Sequence, residues 1–160
     1  RRGFLPSGTP RQEDAWLEPS AATLRALLIA AAWHREKGPR QVWTWHMGFG
    51  LVQLERLLVF KNPGPASTLQ SRSLHVIQAS MLGVGKPSAH RFCFEWVPNA
   101  EDVHHLAGSS TVTLSWSDFP AQLSTAKALV NNLDLLVICN AGASLWGNGG
   151  SGPDDSNNVE

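Results

Sequence analysis

Tyrosine is absent from this sequence, charged residues make up only 16% of it, and cysteine occurs twice. The 13 basic and 13 acidic residues cancel to a formal net charge of zero. Because nucleic-acid-binding proteins usually carry a clustered excess of Lys and Arg, this balance argues against a nucleic-acid partner. No stretch of about 18 apolar residues occurs, so the sequence predicts no membrane span.

What the sequence does contain is enough apolar material for a folded core. Hydrophobic residues make up 42% of the 160 positions, a length close to that of one domain. The seven tryptophans are interpreted as core and rim material, since large aromatic side chains dominate burial. The chain begins Arg1-Arg2-Gly3 without Met, which suggests a start internal to a longer product.

The two cysteines, Cys93 and Cys139, each lie in an apolar run, which favours two small buried thiols. A disulfide between them would require neighbouring strands, so pairing stays open at this point.

The first third of the sequence is typical of helices. Pro19 suits a first helical turn, and Leu24, Leu27 and Leu28 follow at helical spacing toward a stop near Gly38-Pro39. A second helix is predicted over 51–60, before the breaker Pro63-Gly64-Pro65.

After residue 70 the pattern changes to short β-favouring runs separated by turn residues. Strands are predicted over 74–78, 90–97, 111–116 and 133–139. In the third run, alternation places Val112, Leu114 and Trp116 inward and three hydroxyls outward.

Two stretches of the helical part resemble the end of the catalytic domain of subtilisin-like serine proteases (subtilases). They are Pro19-Ser20-Ala21-Ala22-Thr23-Leu24-Arg25-Ala26-Leu27-Leu28-Ile29 and Gly48-Phe49-Gly50-Leu51-Val52-Gln53-Leu54-Glu55-Arg56-Leu57-Leu58.

Three further stretches resemble the β-sandwich domain that some subtilases carry after the catalytic domain. They are 113–120 (TLSWSDFP), 128–135 (ALVNNLDL) and 157–160 (NNVE). They occur in the order that the family has. The resemblance therefore covers roughly residues 19–160 with gaps, and it implies a secreted or vacuolar parent endopeptidase.

The catalytic part of the family pattern is incomplete. The sequence Ser7-Gly8-Thr9-Pro10 carries proline where the family's S-G-T-S motif has its nucleophilic serine, and the Asp and His elements have no counterpart. A serine hydroxyl is a poor nucleophile until a histidine and a carboxylate activate it. We therefore expect a chain without a catalytic triad and without protease activity of its own.

Related β domains often carry structural calcium, so the resemblance implies a calcium site among oxygen-bearing loop residues. The residues assigned to it are Asp118, Asn132, Asp134, Asp154 and Asp155. Asn132 stands where the family has Asp, which removes one charge and should weaken affinity. The alternative is that these residues form Asx turns and solvated loop carboxylates.

Other polar clusters give weaker signals. The six histidines share no ligand-like spacing, and the adjacent His104 and His105 would point to opposite faces of a strand. The stretch Gly147-Asn148-Gly149-Gly150-Ser151-Gly152 lacks the Lys and the helix of a phosphate-binding loop and is interpreted as a flexible turn.

The sequence thus predicts an α+β protein. A helical remnant of a subtilase catalytic domain, residues 1–62, precedes an incomplete antiparallel jelly-roll-like β-sandwich, residues 63–160. The expected function is to support a protease catalytic body supplied elsewhere, with that body or a protein substrate as partner. The alternative is a standalone module that presents Trp96, Trp116 and Trp146 to glycans or proteins.

Overall fold

The computed structural model describes residues 5, 18–33, 48–58, 74–78, 89–95, 110–140 and 142–160, with the side chain of Trp33 excepted. Within these ranges the architecture is α+β, with one α-helix and two separate two-stranded antiparallel sheets. The predicted domain boundary between residues 62 and 63 lies outside the described residues. No helix in the described part is long and apolar enough to cross a membrane.

Helix α1 spans Ala21–Ala30 and is capped by Ser20. The Ser20 hydroxyl accepts a hydrogen bond from the Thr23 N–H at 3.1 Å, which satisfies one of the free donors of the first turn. Gln78 reinforces this end of the helix, because its Oε1 accepts from the Ser20 N–H at 3.0 Å and the Thr23 hydroxyl at 2.5 Å.

The helix is shorter than the sequence predicts. It ends at Ala30, and the chain then turns at the fully buried Ala31 into strand β1, Ala32–Trp33. The predicted stop at Gly38-Pro39 is therefore wrong for this helix. Leu24 and Leu28 are each 48% exposed, so the leucine face is only partly covered by the described residues.

The second predicted helix, residues 51–60, is also wrong. Its first residues form strand β2, Leu51–Val52, which pairs antiparallel with β1, and a short 3-10 helix, Leu54–Arg56, follows. The Gln53 N–H extends the pairing by donating to Ala31 O at 3.0 Å. Backbone pairing with β1 has overridden the helical preference of the leucines.

The second sheet is a hairpin. Strand β3, Leu136–Ile138, pairs antiparallel with strand β4, Ser144–Trp146, with Val137 opposite Leu145. Gly142, at φ 81°, closes the turn by donating its N–H to Cys139 O at 2.9 Å. The predicted strand over 133–139 is confirmed at its centre.

The other predicted strands form less regular structure. Residues 74–78 and 89–95 have no strand pairing, and 111–116 contributes a single antiparallel bridge between Ser115 and Val159. Phe92 and Phe94 are 56% and 64% exposed, so they do not belong to a core within the described residues.

The predicted burial of alternate side chains in residues 111–116 is confirmed in part. Trp116 is buried at 8% exposure and Leu114 is half-buried, but Val112 is 48% exposed, so the prediction for Val112 is wrong. Ser115 does not point outward, because its hydroxyl oxygen is buried without a hydrogen-bond partner. A β-bridge pairs the backbone of this residue with that of Val159.

Candidate functional site

Trp116 is the centre around which the last segments of the chain assemble. Its indole Nε1–H donates to Asn131 O at 3.0 Å, and its backbone N–H donates to Asn158 O at 3.4 Å. The Asn158 side-chain amide returns a bond to Trp116 O at 3.4 Å. One buried aromatic residue thus links three parts of the chain that are far apart in sequence.

The Asp118 carboxylate binds the backbone of the segment around Val130. Its carboxylate accepts from the backbone N–H of Val130 at 2.6 Å and of Asn131 at 3.0 Å. It also accepts from the Asn131 side-chain amide at 2.7 Å and from the Phe119 N–H at 2.9 Å. Desolvation raises the pKa of Asp118, but these donors outweigh it and hold the pKa below its ordinary value.

Glu160 contacts both the segment around Leu114 and the hairpin. Its backbone N–H donates to Leu114 O at 2.8 Å, and its main-chain oxygen accepts from the Leu114 N–H at 2.5 Å. Its side chain reaches the open end of the hairpin, where Oε2 accepts from the Leu135 N–H at 2.6 Å. Glu160 is only 7% exposed, and its second carboxylate oxygen is buried without a partner.

The electrostatic environment of Glu160 is opposite to that of Asp118. Burial raises the pKa of Glu160 above its ordinary value, and the bond from Leu135 does not compensate for it. Repulsion from Asp134 and Asp154 acts in the same direction. Glu160 therefore holds a buried charge that the surrounding donors only partly satisfy.

Gly147 makes room for the Glu160 side chain at the end of the hairpin. Its N–H donates to Leu135 O at 3.0 Å, and a Cβ at this position would lie 2.5 Å from Glu160 Cβ. Any larger residue would have to displace the glutamate. The position thus requires glycine for a close approach rather than for an unusual φ.

The loop over 148–159 is organised by Asp154. Its carboxylate accepts from the side-chain amides of Asn148 at 2.8 Å and Asn157 at 2.6 Å, and from the Ser156 N–H at 2.9 Å. Desolvation raises the pKa of Asp154, yet these bonds bring it below the ordinary value. Asn148 also donates to Val159 O at 2.9 Å, which ties the loop to the carboxy-terminal segment.

Asp155 belongs to a separate surface contact. It forms an ion pair with Lys127, and both side chains are well exposed. The hydrogen bond and the charge of Lys127 lower the pKa of Asp155. Because exposed ion pairs add little to stability, this contact is a minor support for the loop.

The five residues predicted to bind calcium are spread over these contacts. Asp118 bonds the Val130 segment, Asp154 organises the loop, Asp155 pairs with Lys127, and Asn132 and Asp134 are exposed. Among the residues that the structure describes, no three His, Cys, Asp or Glu side chains are grouped so as to hold a metal ion. They do not form a common ligand set in this arrangement, and calcium binding stays a prediction.

No sequence pattern predicts the roles that Glu160, Gly147 and Asn148 have here. The sequence pattern predicts a flexible turn that includes Gly147 and Asn148, whereas Asn148 contacts Asp154 and Gly147 lies against Glu160. The one sequence signal was the position of Glu160 at the end of the NNVE stretch. Its burial depends on a contact with residue 135, and such long-range pairing has no local pattern.

The cysteine interpretation is corrected by the structure. Cys93 and Cys139 are both exposed and both free. Cys139 lies just beyond the end of β3, where its backbone N–H donates to Ala143 O at 2.9 Å. Neither residue is a buried thiol.

The described residues hold no serine–histidine hydrogen bond of the kind that nucleophilic catalysis uses. His75 packs edge-on against Phe94, with ring centroids 5.6 Å apart. The sequence Ser7-Gly8-Thr9-Pro10 lies outside the described residues. The contacts around Trp116 and Glu160 hold backbone segments together.

Comparisons of the chain with protein-family models, with curated proteins and with solved structures found no match. The resemblance to subtilases therefore depends on the quoted sequence stretches alone.

Proposed function

We propose that this chain derives from a subtilisin-like serine endopeptidase, that it lacks protease activity of its own, and that its β segment stabilises a catalytic body supplied elsewhere. The observation that carries the proposal is the contact between the three stretches that resemble the appended β domain. Trp116 and Asp118 bond Asn131, and Leu114 pairs with Glu160. Stretches that define a domain in sequence are expected to pack on one another.

The jelly-roll-like sandwich is part of this proposal. Isolated two-stranded hairpins are marginal in water, so β3 and β4 need further strands or a partner surface. One face of the hairpin has exposed apolar side chains available for such a surface, since Leu136 and Ile138 alternate onto the same face and are 40% and 65% exposed. A catalytic body is the partner that the resemblance implies for this surface.

The alternative, a standalone glycan-binding or protein-binding module, depends on exposed tryptophan rings. Trp116 is buried and its indole N–H is used internally, so it offers no stacking platform. Trp146 is half-buried, and Trp96 lies outside the described residues. The exposed-tryptophan requirement is thus not met at Trp116, and the stabilising role is the better supported of the two.

The absence of protease activity is tested with a serine-directed phosphonate probe and a fluorogenic peptide. The purified chain and a Ser7→Ala variant are incubated with both, and labelling is measured by intact mass. We expect no labelling and no peptide cleavage above buffer in either chain. Labelling of the unchanged chain that is lost in Ser7→Ala would contradict the proposal and would make Ser7 a nucleophile.

A further inference from the structure

Asn148 occupies an unusual position in the loop that joins the hairpin to the carboxy-terminal segment. It adopts φ 54°, a left-handed conformation that Asn tolerates better than most residues, and Gly149 follows it at φ 69°. Both hydrogens of its side-chain amide are used, one on Asp154 Oδ2 at 2.8 Å and one on Val159 O at 2.9 Å. Val159 in turn pairs with Ser115.

An asparagine followed by glycine loses its side-chain amide nitrogen, by deamidation, more readily than an asparagine followed by a larger residue. Because Gly carries no Cβ, its backbone nitrogen can reach the side-chain carbonyl carbon of the preceding Asn with little steric hindrance. The nitrogen forms a bond to that carbon and its proton passes to a solvent base. The bond to the side-chain nitrogen breaks, and this nitrogen takes up a proton from solvent and leaves as ammonia. Water then opens the cyclic imide, which leaves aspartate or isoaspartate.

We propose that Asn148–Gly149 is a deamidation site which the fold protects, and that its conversion releases residues 157–160 from the strand segment 114–116. The site takes only water as its co-reactant and needs no enzyme.

The protection follows from the two hydrogen bonds. Ring closure consumes the Asn148 side-chain amide, and in the folded chain that amide is held by its hydrogen bonds to Asp154 and Val159. Local opening of the carboxy-terminal segment must therefore precede the reaction. The rate of deamidation then reports how often this segment opens.

The conversion also prevents the segment from closing again. An aspartate at position 148 is an acceptor only, so both hydrogen bonds are lost. The Asn148 amide donates to the Asp154 carboxylate and to the Val159 carbonyl oxygen. The negative charge of an aspartate would face the same two oxygens and be repelled by them. Two attractive contacts thus become repulsive. Because Val159 precedes Glu160, we expect the backbone pairing between Glu160 and Leu114 to weaken as well.

The rate is tested by incubating the chain at mildly alkaline pH, both folded and in urea, and following residue 148 by peptide mass spectrometry. We expect conversion several-fold slower in the folded chain, with isoaspartate among the products because only ring opening makes it. Equal rates in the folded and unfolded chain would overturn the protection by the fold.

The release of residues 157–160 is tested with Asn148→Asp. The matched control is Asn140→Asp, which adds the same charge at an exposed turn position. We expect Asn148→Asp alone to lose hydrogen-exchange protection at the Glu160 amide. Full protection at Glu160 in Asn148→Asp would overturn the release. If that variant does not fold, the unchanged folded chain is aged and sampled over time. The loss of exchange protection at Glu160 should then follow the fraction of residue 148 converted, and protection that stays full as conversion proceeds would overturn the release.

Discussion

Asp118 and Glu160 are carboxylates that serve the same assembly in opposite electrostatic environments. Asp118 is surrounded by donors from Val130 and Asn131. Glu160 has backbone donors in Leu135 and Asp154, but also a buried carboxylate oxygen without a hydrogen-bond partner and two acidic neighbours. A charged acceptor that satisfies several backbone N–H groups stabilises a loop. A buried charge with incomplete partners contributes less.

Replacing Asp118 with Asn is expected to lower stability near neutral pH, because an amide nitrogen would face the donors of Val130 or Asn131. The native pKa of Asp118 lies below its ordinary value, so the unfolded chain binds the proton more tightly. The contribution of Asp118 is therefore present above the ordinary pKa and is lost as pH falls through the native pKa.

Urea unfolding of the unchanged chain and Asp118→Asn, from neutral pH into the acid range, measures this dependence. The difference between their midpoints should shrink toward zero in acid. Glu55→Gln, at an exposed position, serves as the charge control and should leave the midpoint unchanged. A difference that persists or grows in acid would contradict the role of the carboxylate.

Replacing Gly147 with Ala is expected to lower the free energy of unfolding by about 1–3 kcal/mol, the usual cost of overpacking. The added Cβ would overlap Glu160, whose own Cβ lies 2.5 Å from that position. Gly152→Ala is the matched control, since no atom lies within 4 Å of its Cβ position. Urea unfolding compares the two, and equal effects would show that Glu160 does not pack on Gly147.

At the residue scale, sequence periodicity predicted the burial of Trp116 but not the exposure of Val112 or the burial of the Ser115 hydroxyl. Alternation describes which side of a strand a residue faces. It does not say which neighbours cover that side. Ser115 is paired through its backbone with Val159, a partner far along the chain that no local pattern identifies.

Among the secondary-structure elements, helix α1 begins at Ala21 with Ser20 as its N-cap, two residues after the predicted start at Pro19. Its end and the identity of the following segment could not be predicted, because backbone pairing of Ala32 with Val52 decides both. Short apolar runs such as 51–58 fit either a helix or a strand, and tertiary contacts select between them.

Replacing Ser20 with Ala is expected to cost about 0.5–2 kcal/mol of stability, the usual effect of losing an N-cap. The Thr23 N–H would lose its acceptor, now 3.1 Å away on the Ser20 hydroxyl. Ser20→Asp preserves a capping oxygen and should retain most of the stability. Thermal unfolding of the three chains distinguishes them, and an equal loss in both variants would argue against a capping role.

At the scale of the whole molecule, the sequence predicted the α+β class and a change of character from helix to strand along the chain, and the described residues agree with the class. They contain two small antiparallel sheets, and the sandwich stays a proposal. The candidate site was predicted as a set of calcium ligands, whereas the contacts around Trp116 and Glu160 join backbone segments. Long-range pairing creates those contacts, so composition and spacing could not reveal them.

The central claim is that residues 111–118, 130–138 and 144–160 pack on one another as one unit. Amide hydrogen exchange of the purified chain tests this most directly. We expect the amides of Leu114, Leu135 and Glu160 to be protected, because each donates to another of these segments at 2.5–2.8 Å. Leu123, which is 99% exposed, provides the unprotected reference. If Leu114, Leu135 and Glu160 exchange as fast as Leu123, the claim is contradicted.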